Sequence, residues 1–449
     1  MKIAFITAWK DPQHSTSGAA RISYEIANAF LKYTDHQILF ISPDDSTKMF
    51  DDENGMKHLH VESVGDESFM YPNLDKSNIK VLYEKLEEFG PDLFHSHTET
   101  FLAANIQYWA QKQRIPFIST IHFTPTDMSD FQVGSKTTKV LYKFVDGIKF
   151  AESTVKSYLN NCDVVIALNN YIKEDLVKFG YTNAIEVIPN GRDLEGFNNL
   201  ELNIPDPQKD FNLFFVGEIN ERKNQTYLIE VLKYLPKNYI LNLIGISKDK
   251  SYQNEINTLV KKYNLENQVV FLGKINFSEL PKVISKMHIC VSAAKLEVQS
   301  LAILESLASG KPIVGLENHT TNELIIEKNR VGYKLPVKVD PKVFSESIVQ
   351  ISNDKKLYKE FSINCKKLSK RFSWKNIVIE TESTYLKLMN KYNRPQKTQI
   401  KPIYQNLNPE LNKKQVNLLK NIFFTWTAFF GTSVVFAAWN SWRNLFKKK

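Results

Sequence analysis

HICVSAAKLEVQSLAILESLASGKPIVG, residues 288 to 315, is the stretch whose reading decides the fold. HICVSAA is an apolar run of strand length, and KPIVGLE, beginning at Lys311, is another. Between them runs a helix-length segment that carries Glu305, with Glu297 in the loop ahead of it. Strand, helix and strand in this order build a parallel sheet covered by helices. The two glutamates flank the start of the helix, where the dipole and free amides would meet a diphosphate while the carboxylates accept hydrogen bonds from hydroxyls. Alone, such a pair is a weak signal, because exposed helices are rich in Glu.

The alternation continues outward. FNLFFVGEI, YILNLIGI and QVVFLGKI precede this stretch, and an earlier series, KIAFITAW, HQILFIS, DLFHSH, IPFISTIH, DVVIALN and AIEVIPN, runs from Lys2 to about Gly191. The fold class is therefore α/β, with two Rossmann-like parallel-sheet domains expected over 1–195 and 196–370 and facing a cleft. A helix over 371–392 follows, then a linker over 393–416 with Pro, Gln and Asn content. In open α/β sheets ligands bind beyond the carboxyl ends of the strands, so the residues after each strand are the candidates for function.

With 449 residues, 43% hydrophobic and 24% charged, the chain has room for two packed cores. Its net charge of +9 is uneven: from Lys355 onward 20 Lys and Arg face 4 Asp and Glu, giving +16, and the remainder carries −7. A basic end on an acidic body, without base-reading or stacking motifs, argues against a nucleic-acid partner and for an anionic lipid surface. Cys162, Cys290 and Cys365 are far apart and have no metal-ligand spacing. No Asp-x-Asp follows a strand, so no metal is expected.

Residues 421–442, NIFFTWTAFFGTSVVFAAWNSW, are uncharged over 22 positions, about the length a helix needs to cross a bilayer core of roughly 20 residues. Trp426, Trp439 and Trp442 lie toward its ends and lysines flank it on both sides. A transmembrane or membrane-embedded helix is expected, with an in-plane helix as the alternative. The N-terminal MKIAFITAWKDP reads as a buried strand and not as an export signal, so the body is expected on the membrane's cytoplasmic face.

The strand, the E-x7-E pair, ASGKPIVG and Asn322 to Leu324 together resemble the retaining GT-B glycosyltransferases of family 4. VIPNGRDLEGF, Val187 to Phe197, is similar to that family's interdomain segment, and RFSW, Arg371 to Trp374, to the start of its returning helix. The resemblance covers roughly residues 1 to 390. It implies catalytic roles for His122, Lys223 and Glu297: Glu297 faces the donor sugar, Lys223 neutralises the donor diphosphate, and His122 lies near the sugar. Donor binding is implied for Gly18, Arg222, Lys223, Gln299, Ser300, Leu301 and Glu305, the last holding the ribose. His95 and His97 read as loop residues near the acceptor side.

Two departures stand out. The family often has Arg where this chain has Glu218, a loss that Arg222 would offset, and its paired glycines are replaced by Ser17 and Gly18. The resemblance implies transfer with retention, a nucleotide-sugar donor that is UDP-linked, and no cofactor or metal; donor base and sugar are set by pocket shape, and these residues do not choose among UDP- and GDP-sugars. EVQSL, Glu297 to Leu301, resembles the E-x-Q-x-L form of diacylglycerol glucosyltransferases, and Lys136 to Lys156 reads as a basic amphipathic helix suited to anionic head groups. The expected acceptor is a membrane lipid; a polyprenyl-linked or cell-surface polysaccharide intermediate is the alternative, and a catalytically silent membrane scaffold the non-enzyme one.

Overall fold

The computed structural model describes residues 1–15, 17–66, 69–73, 76–127 and 147–392. They form two compact units, one of Met1–Ile188 joined by the chain from Val378, the other of Pro189–Ile377. The division after Ile188 falls earlier than the expected boundary at 195. The returning helix also divides differently from the expected 371–392, since residues up to Ile377 stay with the second unit.

The first unit holds strands β1 (Lys2–Ile6), β2 (Gln37–Asp44), β3 (Lys48–Asp51), β4 (Lys57–Asp66), β5 (Phe69–Pro72), β6 (Leu93–Ser96), β7 (Phe117–Ile121), β8 (Val164–Ala167) and β9 (Ala184–Val187). Helices α1 (Gly18–Tyr33), α2 (Lys76–Phe89), α3 (Phe101–Gln113), α4 (Gly147–Asn160) and α5 (Asn170–Phe179) connect them. The sheet order is β3-β4-β2-β1-β6-β7-β8-β9, with β5 also paired to β4. Only β3 and β5 run antiparallel to their neighbour. Ile3, Ala4, Phe5 and Ile6 of β1 are all buried, as a central parallel strand covered on both faces requires.

The second unit holds β10 (Phe211–Val216), β11 (Tyr239–Ile244), β12 (Val269–Gly273), β13 (Ile289–Ser292), β14 (Ile313–Leu316) and β15 (Gly332–Leu335), in the order β12-β11-β10-β13-β14-β15 and parallel throughout. Its helices are α6 (Glu195–Asn198), α7 (Gln225–Leu232), α8 (Lys250–Lys262), α9 (Leu280–Ser285), α10 (Leu301–Ala308), α11 (His319–Leu324), α12 (Pro341–Asn353) and α13 (Lys355–Ser369). Then α14 (Trp374–Tyr392) leads the chain back into the first unit. Alternation along β10 sends Phe211, Leu213 and Phe215 into one core, with Phe344 and Ile348 of α12, and Phe214 into the other, with Leu304 and Leu307 of α10. Each fully buried Phe contributes about 1.5–3 kcal/mol.

In both units the strand order reverses beside the first strand, between β1 and β6 and between β10 and β13. Such switch points open a crevice at the carboxyl ends. On the other side of β10, where β11 ends, Gly245 fits only because it lacks a side chain: a Cβ would stand 1.9 Å from the carbonyl oxygen of Gly217.

The sequence reading omitted β3, β4, β5 and β15. His58, His60 and Glu62 alternate with Leu59 and Val61 along β4, a period-two signal among polar residues. His95 is not a loop residue: it lies within β6 and is fully buried. Of the basic segment Lys136 to Lys156, residues 136–146 lie outside the described residues; the rest belongs to α4, which buries Val155, Tyr158 and Leu159. Among the described residues no helix is long and apolar enough to cross a membrane. The segments 393–416 and 421–442 lie outside them.

Candidate active site

The loops after β10 and β13 meet at the switch point of the second unit. After β10 the chain turns at Asn220, whose backbone and side-chain oxygens both accept from the amide of Lys223 at 3.0 and 3.1 Å. Asn224 follows in the left-handed conformation, which Asn tolerates better than most residues, and starts α7. This turn brings Arg222 and Lys223 onto Glu297. Arg222 Nη1 donates to the Leu296 carbonyl at 2.9 Å and to Glu297 Oε1 at 3.1 Å, and Lys223 Nζ donates to the same carboxylate oxygen. Burial pushes the Glu297 carboxyl up, but Lys223 and Arg222 outweigh it and hold the carboxyl below its usual range.

Glu297 therefore sits just ahead of α10, whose N-cap Ser300 makes no side-chain cap. The Ser300 amide is held instead by Thr320 Oγ1 at 3.0 Å, and Leu301 opens the helix. Gln299 accepts from the Asn190 amide at 2.7 Å through Oε1, while its Nε2, shielded from solvent, meets no partner among the described residues. A shielded donor beside a helix N-terminus and two cations fits an anionic oxygen ligand.

Glu305 lies inside α10, buried, and is gripped by a residue the sequence reading passed over. Arg192, from NGRD, donates from Nε and Nη2 to Glu305 Oε1 at 2.9 and 2.7 Å, and its guanidinium stacks 4.0 Å from the Phe277 ring centre. Its amide donates to the Phe372 carbonyl at 2.8 Å, so NGRD and RFSW pair side by side. Gly191 has no room for a Cβ, which would fall 2.3 Å from the Trp374 ring. NGRD was quoted for its family likeness, and its arginine was the available signal for this contact.

The second unit thus brings together Arg222, Lys223, Glu297, Gln299, Ser300 and Leu301, with Glu305 one helix turn further and paired elsewhere. Gly18 and His122 belong to the first unit. Gly18 opens α1 behind Ser17, whose side chain accepts from the Ala20 amide. His122 follows β7, and its Nε2 lies 2.9 Å from Nδ1 of His97, which follows β6. His97 in turn lies against His95 with ring centres 4.4 Å apart, and His95 is bonded to Tyr385 Oη at 2.5 Å and Thr120 Oγ1 at 2.7 Å. Burial lowers His122 to about 4, burial and the neighbouring His122 lower His95 to about 3, and burial with both neighbours holds His97 well below its ordinary value. All three are neutral at pH 7.

Among the described residues no group of three or more His, Cys, Asp or Glu side chains is arranged to hold a metal ion.

Residues 16–195 match the Glycosyltransferase Family 4 model, and residues 201–368 match that of glycosyl transferases group 1. The chain is 25% identical over 350 residues to the alpha-monoglucosyldiacylglycerol synthase of Streptococcus pneumoniae, covering 73% of this chain and 74% of that one. With the synthase of the same name from Acholeplasma laidlawii it shares 20% identity over 329 residues, 70% of this chain and 80% of the other. Among solved structures, sucrose-phosphate synthase from Thermosynechococcus elongatus superposes with a TM-score of 0.67 at 18% identity, over 87% of this chain and 100% of that one. Anabaena HepE in complex with UDP does so with 0.66 at 16%, over 86% and 100%. At these identities the structural likeness shows the GT-B fold, while the matched families carry the class: the chain belongs to the GT-B glycosyltransferases of family 4 and is an enzyme of the hexosyltransferase type.

Proposed function

We propose that this enzyme moves a hexose from a nucleotide sugar, UDP-linked, to a membrane lipid with retention of anomeric configuration. The observation that carries the reading is the convergence of Arg222 and Lys223 on buried Glu297 at the mouth of α10. As the glycosidic bond breaks, negative charge grows on the leaving diphosphate, and preorganised cations beside a helix N-terminus stabilise that charge. In this reading both cations turn from Glu297 to the phosphates, and Glu297 accepts from sugar hydroxyls. The acceptor hydroxyl attacks on the face the diphosphate leaves, and its proton passes to the departing phosphate oxygen. The charge is then met by Arg222 and Lys223, so neither a metal nor another cofactor is called on. The partly lost cation at Glu218 is offset by Arg222.

A lipid acceptor is supported by the two synthases above, whose names give a diacylglycerol glycolipid as product. The uncharged stretch 421–442 and the +16 charge after Lys355 suit a chain held at an anionic bilayer, with the body on the cytoplasmic face. The test is transfer of radiolabelled sugar from a panel of UDP- and GDP-sugars by the full chain in anionic vesicles containing diacylglycerol. Label extracted into organic solvent, with an α-linkage from an α-donor, is the expected result. Label confined to a polyprenyl-linked acceptor, or an inverted linkage, would replace the corresponding part of the reading.

A further inference from the structure

His122 has one ring nitrogen spent on another imidazole. A neutral imidazole has one N–H and one lone pair, so a hydrogen bond between two of them fixes the proton on both rings once the outer nitrogens are considered. Two arrangements are possible for the 2.9 Å contact between His97 Nδ1 and His122 Nε2. In the first, His97 Nδ1–H donates, His122 carries its proton on Nδ1, and His97 Nε2 is a bare lone pair. In the second, His122 Nε2–H donates, and His97 must keep its proton on Nε2.

The surroundings of His97 decide between them. Its Nε2 is shut off from solvent and has no hydrogen-bond partner among the described residues, with the Phe5 ring 6.2 Å and the His95 ring 4.4 Å away, and those two rings 5.4 Å from each other. A buried N–H without an acceptor is among the rarest arrangements in folded proteins, whereas an unused acceptor lone pair is better tolerated. The first arrangement avoids the orphaned N–H. His122 Nδ1 meets no protein partner among the described residues, so its proton is available.

We propose that His97 is a positioning residue that locks His122 in the Nδ1–H tautomer, so that His122 meets a substrate oxygen as a hydrogen-bond donor and does not serve as a general base. The substrate role of His122 rests on the glycosyl transfer proposed above together with the place near the sugar that the family resemblance implies for it; the tautomer does not. Contact with His95 gives the lock its stiffness, because His95 is anchored by Thr120 and Tyr385 and its ring lies 4.4 Å from that of His97. Neutrality of the rings is a requirement, since a protonated His97 and His122 would both be donors and the bond between them would break.

The experiment is side-chain ¹⁵N NMR on the full chain with labelled histidine at pH 7.5, paired with transfer kinetics. Three variants are compared with the wild type: His97→Phe keeps the ring without a donor, His97→Asn places an amide N–H near the position of Nδ1, and His122→Phe assigns the resonances. In the wild type His122 should show a protonated Nδ1 and a bare Nε2. His97→Phe should release His122 toward the Nε2–H form and lower kcat roughly tenfold or more, the scale on which orienting partners act, and His97→Asn should restore both the tautomer and most of kcat. A wild-type His122 protonated on Nε2, or an unchanged tautomer in His97→Phe, overturns the assignment. A correct tautomer combined with full transfer by His122→Phe leaves the lock in place and removes the substrate role instead.

Discussion

In the first unit three neighbouring imidazoles, His95, His97 and His122, are kept neutral by burial; in the second, two buried carboxylates, Glu297 and Glu305, are each met by cations, Lys223 with Arg222 and Arg192 respectively. Both solve the problem of placing polar groups away from water, but they leave different chemistry behind. An imidazole can shed its charge at little cost, so a histidine cluster can be buried without counterions and offers only single donors and lone pairs. A carboxylate paired with a guanidinium or an ammonium keeps a strong local field and holds cations that a phosphate can claim. The difference is one of field: the first unit offers neutral donors and acceptors, and the second a concentrated pair of charges.

The sharpest way to break the contrast is to remove one charge from the fully buried pair. Arg192→Met leaves Glu305 as an uncompensated buried carboxylate, and stability should fall by about 3–5 kcal/mol, read from urea midpoints of the full chain. Arg192→Met combined with Glu305→Leu should recover most of that loss while remaining defective in donor binding. If the double variant transferred sugar normally, the pair would be structural only. Lys223→Ala comes next: with Arg222 still on Glu297 the fold should hold, and kcat should drop roughly 10²–10³-fold, as for other removals of a group that stabilises developing charge. Retained turnover would remove Lys223 from the site. On the neutral side the effect is smaller. Tyr385→Phe deletes one bond to His95 in a sealed pocket and should cost about 1–3 kcal/mol, with a thermal melt as the measure.

The contrast was unevenly legible in the sequence. Strand and helix alternation announced both sheets, because central parallel strands such as β1 and β13 are continuous apolar runs. The edge strand β15 (GYKL) was missed because it is half-buried, and the inner strand β4 because it mixes histidines with its apolar residues. Cations and carboxylates of the second unit could be named from the family resemblance, and their mutual contacts follow from the turn at Asn220. Arg192 could not be placed by spacing: it lies 113 positions before Glu305 and reaches it only through tertiary packing. The histidine cluster is hidden for the same reason. His95, His97 and His122 come from two neighbouring parallel strands and their ends, and only the register of His95 beside Ile118 on β7 brings them together.

The subtlest test uses Glu99, two residues after His97, which shows what happens when a carboxyl is placed beside the histidines without a cation. Its Oε1 is shielded and has no hydrogen-bond partner among the described residues, and burial pushes its pKa from 4.5 up to about 8. The sign follows from proton linkage: a raised carboxyl binds a proton in the folded state that the unfolded chain gives up, so its contribution to stability is fully present below pH 4.5 and is lost as pH rises toward 8. The histidines act the other way within their own window: with folded values below 6.5, they leave stability undiminished above pH 6.5 and subtract from it as pH falls toward 4. Glu99→Gln, which cannot ionise, should therefore gain on the wild type as pH rises from 4.5 to 8, by at most about 1.4 kcal/mol per unit, and the two melting curves should converge below pH 4.5. His122→Phe should instead flatten the acid side and leave the alkaline side unchanged. If Glu99→Gln and the wild type kept a constant offset across the whole range, the Glu99 carboxyl would titrate alike in the folded and unfolded chain, and burial would not be holding its proton.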